Sequence, residues 1–217
     1  MLITLTAALA GFVHVLSGPD HLAAVAPLAI ADRRRGWLAG WTWGLGHASG
    51  VVFVALLAIG LRDLLPPIEV ISGWSERLVG AVLIGLGLWT LRRGLRIGTA
   101  AHAHGPTVHE HVHVQAGPGW LKRLGHAHAS FYMGVLHGAA GTSHFFGVVP
   151  ALALPTQAAA FGYITAFGVG SVVAMTAFGA AAGFAGARTG HSLAAHRALT
   201  LASAFIAIAV GGVWLAV

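Results

Sequence analysis

A short motif occurs twice in apolar sequence, and this duplication constrains the fold more than any other feature. Residues 11–27 read GFVHVLSGPDHLAAVAP, and residues 134–150 read GVLHGAAGTSHFFGVVP. Both copies follow Gly-x2-His-x3-Gly-x2-His-x5-Pro without a gap. An ionisable side chain at membrane depth is costly and by default indicates a functional site. Two histidine pairs repeated in register therefore predict a duplicated membrane protein with a histidine site between its halves.

Composition supports this class. The chain is 57% hydrophobic and 8% charged, whereas soluble domains carry about 25% charged residues. We therefore predict an integral membrane protein. The sequence contains no cysteine, so a disulfide framework and a thiolate metal site are both excluded. Any metal must be bound by His, Asp, Glu or backbone oxygens.

Six apolar segments are long enough to cross a bilayer, which takes roughly 20 helical residues. Residues 1–30 do not resemble a signal peptide, because no basic residue precedes the apolar run and the run continues past His21. We predict an all-α integral membrane protein with six transmembrane helices, at about 2–30, 37–61, 74–91, 131–153, 157–187 and 195–216.

The basic residues predict the orientation of these helices. Ten of the twelve Lys and Arg residues lie in the connections after spans one, three and five. Because such residues are enriched on the cytoplasmic side, we predict that both termini face outward from the cell (inner) membrane. This distribution also explains the formal charge of +6 without a nucleic-acid partner.

The duplication extends beyond the histidine motif. Residues 44–47, GLGH, match residues 168–171, GVGS, and residues 87–89 resemble residues 212–214. Each half then has three spans, and an odd number inverts the second half, as in transporters whose sites lie near the membrane midplane. We predict two inverted three-helix repeats, 1–91 and 131–217, joined by a cytoplasmic linker, 92–130.

The paired histidines have the chemistry and spacing of a metal site. On a helix, offsets of four and seven residues return to nearly the same face, so His14 and His21 share a face, as do His137 and His144. Imidazole suits Zn, Cu, Fe and Ni, whereas Mg and Ca prefer oxygen. The alternative is that these histidines only form hydrogen bonds between helices.

Span one also contains a helix-start signal. Residues 17–20, Ser-Gly-Pro-Asp, combine a capping residue, proline at the first helical position and an acid in the first turn. We therefore predict a break near Ser17-Gly18-Pro19 that turns Asp20 toward the ion. The alternative is that Asp20 only caps the half-helix. The second copy has Gly141-Thr142-Ser143, a weaker signal, and Ser143 replaces Asp20.

Span two adds one histidine and three tryptophans. His47 is a candidate ligand or proton acceptor, and the alternative is a hydrogen bond to a neighbouring helix. We interpret Trp37, Trp41 and Trp43 as anchors at the membrane interface, where tryptophan is enriched.

The linker is rich in histidine and predicts a flexible segment that buffers metal on the cytoplasmic side. Residues 109–113 fit the H-E-x-x-H signature of zinc proteases, which requires a helix. We interpret the match as accidental, since it lies in a His-rich loop near Gly-Pro pairs. The buffering residues would be His102, His104, His109, His111 and His113.

At these motifs the chain resembles the nickel/cobalt permease family, especially its short urease-accessory branch. The resembling segments are GPDHLAAV, WTWGLGHASG, VLHGAAGTSH and AFGVGSVVAM, in spans one, two, four and five. The family pattern has four residues between a histidine and Asp-His, whereas five separate His14 from Asp20 here. The resemblance implies transport of Ni²⁺ or Co²⁺, carries over Asp20 and His21 as site residues, and leaves the direction open.

We predict a divalent transition-metal permease without enzymatic activity or a permanent cofactor. Its partners would be the lipid bilayer, the transported ion, which is Ni²⁺, Co²⁺ or alternatively Zn²⁺ or another divalent metal, and a cytoplasmic metal acceptor. The rival functions are a metal-delivery protein for a metalloenzyme, an exporter of a small anion such as sulfite, and an intramembrane metalloenzyme. The predicted metal residues are His14, Asp20, His21, His47, His137 and His144.

Overall fold

The protein is a helical bundle with one small hairpin. The computed structural model describes residues 2–32, 35–60, 68–104, 107–114, 126–140, 144–189 and 192–216. Within these ranges the helices are α1 Leu2–Ser17, α2 Pro19–Ala31, α3 Gly36–Gly60, α4 Ile68–Leu95, α5 His126–Ala139, α6 His144–Leu152, α7 Gln157–Arg188 and α8 Leu193–Ala216, and the strands are β1 Ile97–His104 and β2 Thr107–Val114.

Several helices have the length and composition of membrane spans. Four stretches qualify singly, and α1 with α2 qualifies as one bent span, which gives up to five spans among the described residues. The predicted helical membrane protein is thus confirmed at this level. The predicted span 131–153 corresponds to α5 and α6, which are separate helices on either side of residues 140–143. The single stretches are Gly36–Leu57, Arg77–Leu95, Gln157–Arg188 and Leu193–Ala216.

The outer surface of the bundle is apolar, as a bilayer requires. Large hydrophobic side chains are exposed on every candidate span, and in water such continuous apolar surface would drive aggregation. Examples are Leu5, Phe53, Leu88, Phe184 and Val213.

The predicted break in span one is confirmed. The axes of α1 and α2 differ by 73°. Gly18 separates them in an extended conformation with φ −88° and ψ 104°, because a residue before proline is driven out of the helical region. Pro19 then occupies the first turn of α2, where its missing N–H costs nothing.

Helices of one half of the sequence pack against helices of the other half. α1 packs on α7 and α5 packs on α3, while α3 packs on α7 and α4 on α8. Thus the first helix of each half lies against the second long helix of the other half. The pairing buries the glycine-rich faces of both repeats in one common interior.

Glycines from the two copies make matching contacts. A Cβ on Gly11 would meet the carbonyl oxygen of Phe167, and a Cβ on Gly134 would meet that of Trp43. In the alignment of the halves, Gly11 corresponds to Gly134 and Trp43 to Phe167. The backbones approach closely because small residues permit it, which is how membrane helices associate.

The central pair α3 and α7 shows the same correspondence. A Cβ on Gly44 would lie 3.0 Å from Cα of Val172, and a Cβ on Gly168 would lie 3.3 Å from Cβ of Ala48. When residues 44–47 are aligned with residues 168–171, each of these two contacts corresponds to the other. The duplicated segments therefore occupy equivalent places in the bundle.

The predicted linker contains a β-hairpin that the sequence did not lead us to expect. β1 and β2 pair in antiparallel register, with His102 opposite His109. The alternating His-Val sequence suits strands because β-branched residues favour extended backbone. α4 extends to Leu95 and α5 begins at His126, so both helices reach into the segment predicted as linker. The side chains of His102, His104, His109, His111 and His113 lie outside the described part.

Candidate metal centre

Four histidines and one aspartate meet inside the bundle. Asp20, His21, His47 and His137 retain 5%, 1%, 0% and 6% of their accessible surface, and His14 is half-buried. Charged and imidazole side chains are rarely buried in an apolar interior without a compensating partner. Their convergence makes this cluster the candidate binding site.

Four helices deliver these side chains. His14 lies in the last turn of α1, and Asp20 and His21 lie in the first turn of α2. α3 contributes His47 and α5 contributes His137. Because of the bend at Gly18, the last turn of α1 and the first turn of α2 face the same place. In an unbroken helix these two turns would lie further apart along the axis.

Asp20 joins two histidines from different halves of the sequence. Nδ1 of His21 donates to Oδ1 of Asp20 at 2.9 Å, and Nε2 of His137 donates to Oδ2 at 3.0 Å. Gly18 caps α2 without a side-chain hydrogen bond at that end. The carboxylate thus accepts hydrogen bonds from imidazoles rather than from backbone N–H groups at the helix end. Asp20 therefore does more than cap the half-helix.

His21 lies at the middle of the cluster. Its ring centroid is 4.7 Å from that of His14, 5.0 Å from His47 and 4.7 Å from His137. Among the described residues, its buried Nε2 has no hydrogen-bond partner. That nitrogen therefore carries an unused lone pair, because Nδ1 donates the ring proton to Asp20.

Two groups of three residues have ligand atoms within 4.8 Å of one another. The first is His14, His21 and His47, and the second is Asp20, His21 and His137. They share His21. Either group supplies three protein ligands, the number found in catalytic zinc sites with an exchangeable position.

Two aromatic rings enclose the cluster from opposite repeats. Trp43 stacks on His47 with centroids 5.4 Å apart and lies 5.0 Å from His137. Phe167, its counterpart in the second half, lies 5.5 Å from His14. Trp43 retains only 1% of its surface, so its interpretation as an interfacial anchor is wrong.

The other two tryptophans are exposed, and their role as interfacial anchors stays a prediction. Trp37 is 48% exposed and Trp41 is 43% exposed, whereas Trp43 points inward from the same helix. Sequence reasoning grouped the three by residue type. The four-residue spacing from Trp43 to His47 places both on one helical face and would have identified the buried ring.

The predicted sites divide into those that the structure brings together and those that lie outside the description. His14, Asp20, His21, His47 and His137 are brought together. His144 begins α6, and its side chain lies outside the described residues. Sequence reasoning left open whether His47 takes part, and the fold puts it in the cluster.

Ser171 shows what replaces His47 in the second half. Its Oγ donates to the carbonyl of Phe167 at 3.0 Å and lies 3.3 Å from the carbonyl oxygen of Gly11. Ser171 therefore connects α7 to itself and to α1. The polar group at the equivalent position serves helix packing in one half and the buried cluster in the other.

Comparison with known proteins finds three informative relatives. The chain is 37% identical over 170 residues to Chloroplast protein FOR GROWTH AND FERTILITY 2 of Arabidopsis thaliana, covering 78% of this chain and 44% of that protein. It is 36% identical over 174 residues to Chloroplast protein FOR GROWTH AND FERTILITY 1 of the same plant, covering 80% and 47%. The chain therefore spans less than half the length of these two proteins.

The third relative matches over nearly the whole chain. Urease accessory protein UreH of Bacillus sp. (strain TB-90) is 28% identical over 213 residues, covering 93% of this chain and 85% of that protein. No family model matches the chain, and no solved structure gives a significant match. The resemblance to a urease-accessory branch is thus supported by one distant homologue. The two chloroplast proteins, in contrast, are named for growth and fertility. The chain is a membrane protein similar to both groups.

Proposed function

We propose that the protein is a membrane permease for a divalent transition-metal cation, with Ni²⁺ or Co²⁺ as the favoured substrate. The observation that carries this proposal is the buried cluster of His14, Asp20, His21, His47 and His137. Four imidazoles and one carboxylate suit a borderline-soft dication better than Mg²⁺ or Ca²⁺. The similarity to a protein named as a urease accessory protein supports a role connected with metal supply.

Exchanged helix pairing supports a transport cycle. We infer two inverted repeats of three spans, with α5 and α6 as the broken counterpart of α1 and α2. In such folds the site lies near the midplane, and one bundle rocks against the other to alternate access. Asp20 and His137 join the halves at the cluster, so a motion between repeats would remake the site.

Chemistry also suggests how the ion is released. Neutral imidazole binds a metal and protonated imidazole does not, so proton uptake competes with metal binding. Lower pH on the receiving side would therefore favour release. We expect binding at the cluster to weaken as pH falls.

Anion export is a weaker candidate. The cluster is built from imidazoles, a carboxylate and aromatic rings, and a carboxylate repels an anion. A metal-delivery role remains the second candidate, because UreH is named as an accessory protein and the hairpin carries several histidines. The two metal functions differ in whether the ion crosses the bilayer.

Flux into proteoliposomes tests the proposal. Ni²⁺, Co²⁺, Zn²⁺ and Mn²⁺ would be compared at two pH values, using the wild-type protein, His21→Ala and His128→Ala. His128 lies on α5 outside the cluster and is exposed, so it is the matched control. We expect His21→Ala to abolish flux at normal membrane abundance and His128→Ala to leave it unchanged. Normal transport by His21→Ala would contradict the metal-site interpretation.

Topology offers an independent test. Single cysteines at Thr156 and Ser192 would lie on opposite sides of the membrane, because α7 separates them. The chain has no cysteine of its own, so labelling is unambiguous. We expect Thr156→Cys to react from outside intact cells and Ser192→Cys to react only after permeabilisation, as the basic residues predict. The reverse pattern would invert the proposed orientation in the cell membrane.

A further inference from the structure

The cluster contains two overlapping groups of ligands, and the structure distinguishes their roles. We propose that the ion binds to His14, His21 and His47, with Asp20 and His137 outside the coordination sphere as positioning residues. This inference rests on the proposed function and adds which side chains touch the metal. It differs from the sequence-based expectation, which treated Asp20 and His137 as direct ligands.

The tautomer of His21 supports this assignment. Nδ1 of His21 donates to Asp20 at 2.9 Å, which leaves the lone pair on Nε2. Within the described part of the chain, this Nε2 is buried and has no hydrogen-bond partner. A buried acceptor without a partner is unfavourable, and a bound cation would supply the missing partner. Nε2 is therefore the ligand atom that the fold presents.

The geometry of the three imidazoles is compatible with one ion. The ligand atoms of His14, His21 and His47 lie within 4.8 Å of one another. A metal–nitrogen bond of about 2.1 Å in tetrahedral geometry requires nitrogens roughly 3.4 Å apart. The rings would draw together by about 1 Å or less, which small side-chain rotations accomplish. Stacking on Trp43 fixes the plane of His47 and limits that movement.

The carboxylate of Asp20 is already engaged at both oxygens. Oδ1 accepts from His21 and Oδ2 accepts from His137. Direct ligation through Asp20, His21 and His137 would require Nδ1 of His21 to lose its proton and both hydrogen bonds to break. As an outer group, the carboxylate instead fixes the orientation of the His21 ring, as carboxylates behind metal-bound histidines commonly do.

Gly18 keeps this arrangement compact. A Cβ at Gly18 would contact Nδ1 of His21 and lie 2.8 Å from Oδ1 of Asp20. The glycine therefore leaves room for the hydrogen bond between these two side chains. A larger residue there would force the His21 ring or the Asp20 carboxylate to shift.

Spectroscopy of the bound metal tests the assignment. The full-length protein in lipid nanodiscs would be loaded with Co²⁺, and its visible absorption and X-ray absorption would be recorded with the affinity. The variants are His47→Ala, His47→Gln, His137→Ala and Asp20→Asn. Size-exclusion profiles would confirm that each variant is folded, and His47→Gln provides a second variant of closer size if His47→Ala is unstable.

We expect three imidazole ligands in the wild-type protein. Either change at His47 should remove one imidazole from the spectrum or abolish binding. His137→Ala and Asp20→Asn should keep the wild-type spectrum while affinity falls about 10- to 100-fold, the usual effect of losing a group behind a metal ligand. A changed spectrum or abolished binding in His137→Ala or Asp20→Asn, or an unchanged spectrum in the folded His47 variants, would overturn the assignment.

The test separates this inference from the proposed function. If wild-type protein binds and transports the metal but Asp20→Asn alters the coordination spectrum, only the ligand assignment fails. If wild-type protein neither binds nor transports any of the four metals, the permease proposal itself fails.

Discussion

The two copies of the repeated motif share their packing residues and differ in their polar residues. Gly11 and Gly134 each place a helix against a backbone carbonyl of the opposite repeat. His47 and Ser171 occupy aligned positions, yet His47 lies in the buried cluster, while Ser171 donates to backbone carbonyls. The two halves therefore share these packing contacts, while among the described residues most of the cluster's polar side chains come from the first half.

The described polar residues of the cluster are unevenly distributed between the two halves of the sequence. His14, Asp20, His21 and His47 come from the first half, and His137 comes from the second. A symmetric site would present identical chemistry to both sides of the membrane. Under the proposed function, an asymmetric site would offer the ion different neighbours toward each side of the membrane.

The largest expected contrast lies between His47 and Ser171. We predict that His47→Ala lowers metal flux at least about 100-fold, because even groups behind metal ligands contribute 10- to 100-fold. Ser171→Ala should keep near-normal flux, since an interhelical hydrogen bond in a membrane contributes on average about 0.6 kcal/mol. Flux normalised to membrane abundance measures both. Equal losses in the two variants would mean that the halves are not chemically distinct.

Packing should show the opposite behaviour, with both copies equally sensitive. We predict that Gly11→Ala and Gly134→Ala each destabilise the protein by about 1–3 kcal/mol, the usual cost of overpacking. Thermal unfolding in detergent and membrane abundance would report the effect. Gly162→Ala is the control, because no described atom lies within 4 Å of an added Cβ at that position. A tolerant Gly134 beside a sensitive Gly11 would break the equivalence of the two interfaces.

The two enclosing aromatic rings should differ in strength. Trp43 contacts His21, His47 and His137, whereas Phe167 has a ring contact to His14. Aromatic pairs contribute about 0.5–1.5 kcal/mol each beyond area burial, so Trp43→Ala should weaken metal affinity by about tenfold and Phe167→Ala by a few-fold. Titration with Co²⁺ measures both. The opposite ranking would show that the second half controls the cluster.

The smallest effect is expected in the segment between the repeats. Deleting residues 102–113 should leave the rate of metal flux within about twofold, because the proposed ligands His14, His21 and His47 all come from helices α1, α2 and α3. Apparent affinity is expected to shift modestly if the histidines concentrate metal near the membrane. Loss of flux with normal membrane abundance would favour the metal-delivery function over the permease.

Much of the scaffold was predictable from local sequence. Apolar segments predicted the helices, and the Gly18-Pro19 pair predicted the 73° break, because both signals act within a few residues. The histidine motif predicted that His14, His21 and His137 carry the site, and the structure brings them together. That they bind metal stays a prediction.

The exchanged contacts were not predictable from one sequence. Sequence periodicity shows which residues share a helical face, but the partner of that face is chosen by packing among all helices. Sequence reasoning consequently placed Trp43 at the interface, although the pairing of α3 with α5 buries it beside His137. It likewise treated Asp20 as a free ligand, because its bond to His137 spans 117 residues of sequence.

Because helices of the two halves pack on each other, these contacts can form only after the second half has been synthesised. α3 enters the membrane well before α5, its packing partner, since residues 61–125 must first be translated. At ordinary translation rates this delay is roughly several seconds. During that interval Asp20 can bond His21 of its own half but not His137 of the second half. Neither repeat is a complete unit until both have been made.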